Sequence, residues 1–184
     1  MEKYKYCVLD FLELINKYEQ EDGGNIFKQN DKTNDDEIAI FQKWLSQYTN
    51  NECSEYIEFI KIINGFTFGP SEVYSLNCNS SCNIYKENEA ICKNNEKLRQ
   101  YIFFCTDDIN LYGINVKTGK HCRYNLFTNE FDEDYETFYE LMARQLEVSL
   151  YSGDDGNDEE YEKIKWKNNI DEKIGIYEIK SIRK

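Results

Sequence analysis

The hydrophobic period of this chain changes at Asn64-Gly65, and that change constrains the fold more than any other feature. Upstream, apolar residues recur three to four apart, the spacing of one helical face. Tyr4, Cys7/Val8, Phe11/Leu12, Ile15 and Tyr18 predict a helix over 4–19, ended by Gly23-Gly24, with a polar stretch running to Thr33. A second helix starts near Asn34. Asn34 is a good cap, Asp35 and Asp36 suit the positive helix start, and Glu37 stands at the capping-box position. Its apolar stripe is Ile38, Phe41, Trp44/Leu45 and Tyr48, and Asn50-Asn51 breaks it. A third helix starts near Ser54 and buries Tyr56, Phe59/Ile60 and Ile63. It stops at Asn64-Gly65, where glycine takes up a left-handed conformation.

Downstream of Gly65 the apolar runs are short and punctuated. Phe66-Thr67-Phe68 is extended and is broken by Gly69-Pro70. Glu72 to Leu76 reads as a short strand, Asn77 to Asn83 as a loop, and Glu87 to Gln100 as a helix. Ile102 to Cys105 is a short apolar strand. Leu111 to Val116 and His121 to Phe127 flank Lys117-Thr118-Gly119-Lys120, which indicates a hairpin. A last helix covers 135–150, with Phe138, Leu141/Met142 and Gln145/Leu146 on one face. Helices first, then short strands joined by short loops, then a helix, mean an α+β domain with an antiparallel sheet over residues 1–150. Gly153 to Glu160 reads as an acidic linker, and 161–184 as a tail with more base than acid. Within that tail Ile174 to Ile179 either adds an edge strand or frays.

A length of 184 residues suits one domain, and an aromatic share of 15% is too rich for a disordered chain. The formal net charge is −13, which repels phosphate backbones and anionic lipid. No direct nucleic-acid or membrane partner is therefore expected, and a basic protein partner is favoured; the plainer reading of the acidity is solubility. The N-terminal stretch is charged and amphipathic and lacks the apolar run of a signal peptide, so the expected location is the cytoplasm. Seven cysteines, an odd number, then read as free thiols. Cys78, Cys82, His121 and Cys122 are the nearest approach to a zinc set. Adjacent His121 and Cys122 point to opposite faces of a strand, so no metal or other cofactor is assigned.

No nucleophile elbow, zinc-protease, Walker or dinucleotide pattern occurs, and the lone His121 sits in a predicted strand. These features predict a binding protein, not an enzyme. The acidic groups Asp107-Asp108, at a strand connection, and Asp132-Glu133-Asp134, before the last helix, are the candidate partner-binding residues. At any one of them the alternative is plain capping or solubility.

The order of these motifs resembles a known family. The capped helix Asn34-Asp35-Asp36-Glu37-Ile38 is followed by Ser54-Glu55-Tyr56-Ile57-Glu58-Phe59-Ile60-Lys61-Ile62-Ile63-Asn64-Gly65-Phe66. The segment Ile102-Phe103-Phe104 to Tyr112-Gly113-Ile114 and the helix Asp134-Tyr135-Glu136-Thr137-Phe138-Tyr139-Glu140-Leu141 come next. Over roughly residues 5–150 this is similar to the SUKH superfamily of Smi/Knr-type proteins, in its YrhA-like branch. The chain departs from that pattern where Cys53-Ser54 replaces the usual proline before the Tyr helix, and in its residues after 150. The resemblance implies a central antiparallel sheet flanked by helices. It also implies an immunity protein that neutralises a cognate bacterial toxin of the nuclease kind by stoichiometric binding. A cytoplasmic regulatory or scaffold protein of the same fold is the alternative.

Overall fold

The computed structural model describes residues 2–21, 27–151 and 158–170. Its elements are α1 (Glu2–Glu21), β1 (Phe27–Gln29), α2 (Asp35–Leu45), α3 (Ser54–Ile62), β2 (Phe66–Phe68), β3 (Ser71–Val73) and α4 (Ile84–Asn94). A short 3-10 turn (Glu96–Gln100) leads into β4 (Tyr101–Thr106), β5 (Asn110–Asn115), β6 (His121–Asn125), β7 (Glu130–Tyr135), α5 (Phe138–Tyr151) and α6 (Asp158–Lys167). The seven strands form one antiparallel sheet in chain order, β1 to β7, each pairing with its neighbours in sequence. The helices flank this sheet, so the architecture is the α+β arrangement expected from the change of period.

Local signals place the helices. At Asn34 both halves of the capping box form: the Asn34 side chain accepts from Glu37 N, and the Glu37 side chain accepts from Asn34 N. Asn83 caps α4 by accepting from Tyr85 N and Lys86 N, which starts that helix three residues before the expected Glu87. Gly65 has φ +73°, and a Cβ there would stand 2.7 Å from the carbonyl oxygen of Val73. Only glycine allows α3 to turn into β2 this closely.

The core is built on Tyr56 of α3. Its ring meets Phe41 at 5.3 Å, Phe104 at 4.5 Å and Phe138 at 5.4 Å, which ties α2, β4 and α5 together. The buried hydroxyl donates to the carbonyl of Tyr74, so the polar end is satisfied. The stripe predicted for α3 therefore points where its spacing says it must.

Three elements were not expected. β1 lies in the stretch read as polar, β7 in the acidic stretch read as leading into the last helix, and α6 spans the end of the expected linker and the start of the tail. Ile174 to Ile179, the candidate extra edge strand, lies outside the described residues. No described helix is long and apolar enough to cross a membrane.

Candidate protein-binding face

Asp107 is a correction to the sequence reading. It is buried, not presented to a partner. Its carboxylate accepts from Ile109 N (2.8 Å), Asn110 N (2.7 Å), the Asn110 side-chain amide (3.1 Å) and the Tyr112 hydroxyl (2.7 Å). An aspartate that bonds the backbone two and three residues on is a turn-former, and here it closes the β4–β5 hairpin. Replacing Asp107 with alanine is expected to cost about 3 kcal/mol, because several buried donors lose their acceptor. Asp108→Asn next door, at an exposed position, should change stability by less than about 0.5 kcal/mol. Urea unfolding of the two variants measures the contrast.

Asp108 stays on the surface. It adjoins the tip of the β6–β7 hairpin, where Leu126 N donates to the carbonyl of Ile109 at 2.8 Å. Asp132, Glu133 and Asp134 are not in a loop before α5; they belong to strand β7 at the end of the sheet. The exposed Asp134 lies 3.6 Å from Lys120.

What the acidic residues surround was not legible as a site. The Asn125 side chain accepts from Phe127 N (2.9 Å) and Thr128 N (3.0 Å), and Asn129 N donates to Asn125 O (3.0 Å). Asn129 takes φ +57°, a conformation asparagine tolerates better than most residues. The turn so fixed holds Leu126 and Phe127 outward, with Phe127 78% exposed. Beside it Phe131 stacks on Tyr101 at 4.2 Å and leans on Tyr124 at 4.9 Å. Tyr101 in turn borders a groove of about 510 Å³ walled by Trp44, Tyr48, Tyr85 and Ile102. Trp44 meets Tyr85 at 5.2 Å and Tyr48 at 5.1 Å. Glu89, Lys93 and Arg99 also line the groove. An aromatic band thus runs from α2 across β4 to Phe131 on β7, and Glu130 and Asp134 of β7 and Asp108 of the β4–β5 turn are exposed. The available signal was Leu126-Phe127, apolar residues in a turn-rich sequence, which reads as the end of a strand until the turn is seen to hold them out.

A smaller cavity of about 250 Å³ lies where α3 and α5 begin, lined by Cys53, Glu55, His121 and Glu136 among others. Burial pushes the Cys53 thiol up to about 12 and the His121 imidazole down to about 4. At neutral pH the thiol keeps its proton and the imidazole is uncharged. All seven cysteines are free. Among the described residues no group of three or more His, Cys, Asp or Glu is placed to hold a metal ion.

His121 carries a pH prediction. Its folded value, about 4, lies below the ordinary 6.5, so below pH 6.5 the unfolded chain takes up a proton that the folded one refuses. Stability present above pH 6.5 is lost as pH falls toward 4, and between pH 7 and pH 5 the loss from this group is about 2 kcal/mol. Urea midpoints at those two pH values should differ less in His121→Phe than in the parent. His121 is the chain's one histidine, so its imidazole NMR signal reads the titration directly.

The fold and this band define an α+β sheet protein with an exposed aromatic face on an acidic chain. No protein-family model matches the chain, and no curated protein matches it in sequence. Among solved structures it is similar to a protein from Pseudomonas syringae pv. tomato known from a crystal structure. The two share 17% sequence identity and superpose with a TM-score of 0.49, over 73% of this chain and 98% of that one.

Proposed function

We propose that this chain binds another protein stoichiometrically, as an immunity protein that neutralises a basic toxin of the nuclease kind. The observation that carries the reading is the hairpin tip. Phe127 is fixed outward by a hydrogen-bonded turn next to Leu126, and the exposed Asp108 and Glu130 belong to the two segments that meet at this tip. Interfaces place aromatic anchors at the centre and charge at the rim, and an acidic rim speeds encounter with a basic partner. A nuclease must be basic to hold its substrate. The motif order shared with SUKH proteins supports the immunity role.

The test is capture by the full chain of its partner from the native host, then growth rescue when that partner is expressed. Phe127→Ala should weaken capture by about thirtyfold, some 2 kcal/mol, and leave stability within about 0.5 kcal/mol. Capture of a housekeeping protein, with no toxin and no rescue, would move the reading to the regulatory alternative. Capture indifferent to Phe127→Ala would remove the tip from the interface.

A further inference from the structure

β7 is the last strand of the sheet. One side of its backbone bonds to β6, and among the described residues no strand pairs with the other side. A free edge presents donors and acceptors at strand spacing, which a second extended chain can satisfy. The two edges differ in what they offer. β1 has three residues, whereas β7 has six, a run of roughly 20 Å.

Charge limits what can pair there. Glu130, Asp132, Glu133 and Asp134 make four acids among the six residues of β7, with no base. A second copy would set these acids against themselves, and like charges directly across a strand pair repel. The strand also carries a bulge: Tyr124 faces Phe131 and Arg123 faces Glu133, so Asp132 is one residue extra. A charged, bulged edge is a device against pairing with copies. Glu130 and Asp134, the acids of this strand that are seen to be exposed, attract a strand of opposite charge. Phe131, part exposed and stacked on Tyr101, adds an apolar neighbour for such a strand.

We infer that the outer edge of β7 accepts a Lys/Arg-rich extended segment of a partner protein as an eighth strand. This rests on the protein-binding reading above and names how the partner is held. Backbone hydrogen bonds along the edge supply the register, and the acids select against neutral and acidic segments.

The experiment is an NMR titration of the ¹⁵N-labelled full chain with an alternating Lys–Val octapeptide, and separately with a Glu–Val octapeptide. The Lys–Val peptide is expected to shift the amides of 130–134 and slow their exchange, while the Glu–Val peptide does neither. Glu130→Lys combined with Asp134→Lys should weaken the Lys–Val peptide by about tenfold. Should that variant fail to fold, raising salt from about 0.05 M to about 0.5 M should weaken the peptide on the parent protein instead. Unperturbed 130–134 amides, equal binding of the two peptides, or shifts confined to the Trp44 groove would overturn the inference. If the peptide fails while the full chain still captures its partner and Phe127→Ala weakens that capture, only the strand-addition mode falls. If the peptide fails and the full chain captures no partner, the protein-binding reading falls with it.

Discussion

Gly113→Ala is expected to yield no stably folded protein. Gly113 lies in the middle of β5, across from Phe103 on β4 and Cys122 on β6. A Cβ built there runs into the carbonyl oxygen of Ile102 and stands 2.8 Å from both Cα and Cδ1 of Phe103. The Phe103 ring could swing away; the two backbone atoms cannot without parting β4 from β5. The neighbourhood is already irregular, because the β4–β5 register shifts between Phe103 and Cys105. At Gly113 the backbones approach so closely that there is space for a hydrogen only. The cost should exceed about 4 kcal/mol, a large part of the stability of an ordinary domain. The check is soluble yield and urea unfolding. Gly69→Ala serves as control, since a Cβ at Gly69 meets nothing within 4 Å, although its φ of +54° still carries some strain. A Gly113→Ala protein as stable as the control would show that the close approach of β4 and β5 is wrong.

Lys165→Ala should destabilise the protein by about 3–5 kcal/mol, because it removes one partner from a buried ion cluster. The Lys165 side chain, on α6, is only 2% exposed. It donates to Glu147 of α5 at 2.8 Å and to Glu162 at 3.3 Å, and Glu147 also lies 3.7 Å from Arg144. Burial opposes the ammonium, but the hydrogen bonds and charges of Glu147 and Glu162 together outweigh it and hold its pKa above the ordinary lysine value. Without the lysine, Glu147 keeps Arg144 and loses its shorter contact. Outlying ties are exposed or part-exposed and weaker: Lys17 to Glu160, and Lys167 and Asn168 to Asp10. Loosening of α6 can be followed at Cys7 on α1. That thiol is buried, is pushed up to about 12 chiefly by burial, and lies within electrostatic reach of Glu147, Asp10 and Lys165. Pulsed alkylation with peptide mapping should label Cys7 faster in Lys165→Ala than in the parent, and Lys165→Arg should restore much of the protection. Unchanged labelling and an unchanged urea midpoint would place Lys165 outside the clasp.

The helices were legible because their causes are local. The Asn34–Glu37 capping box and the Tyr56 stripe are patterns within one or two turns, and the structure uses them as read. The misses share a different cause. β7 reads Glu-Phe-Asp-Glu-Asp-Tyr, which looks like a solvated turn; it is a strand because β6 pairs with one side of its backbone, whatever its side chains carry. α6 begins with Asp158-Glu159-Glu160 and ends near Lys165 and Lys167. The same acids that suggested a linker suit a helix start, and the buried pairing of Lys165 with Glu147 of α5 decides between the two. Asp107 shows the limit for single residues: a surface acid and a turn-forming acid are identical in sequence, and only its four donors distinguish them.

The sequence by itself determined the helical segments from 2 to 62, the switch to short strands at Gly65, and hence the α+β class, because periodicity, capping and glycine geometry act within a few residues. The tertiary structure alone decided which acids face solvent, that β7 is a strand at the edge of the sheet, that α6 docks through a buried charge, and that Tyr101, Tyr124 and Phe131 pack as one cluster. These depend on groups tens of residues apart, where burial and the partner across the sheet, not local preference, set the free energy of each side chain.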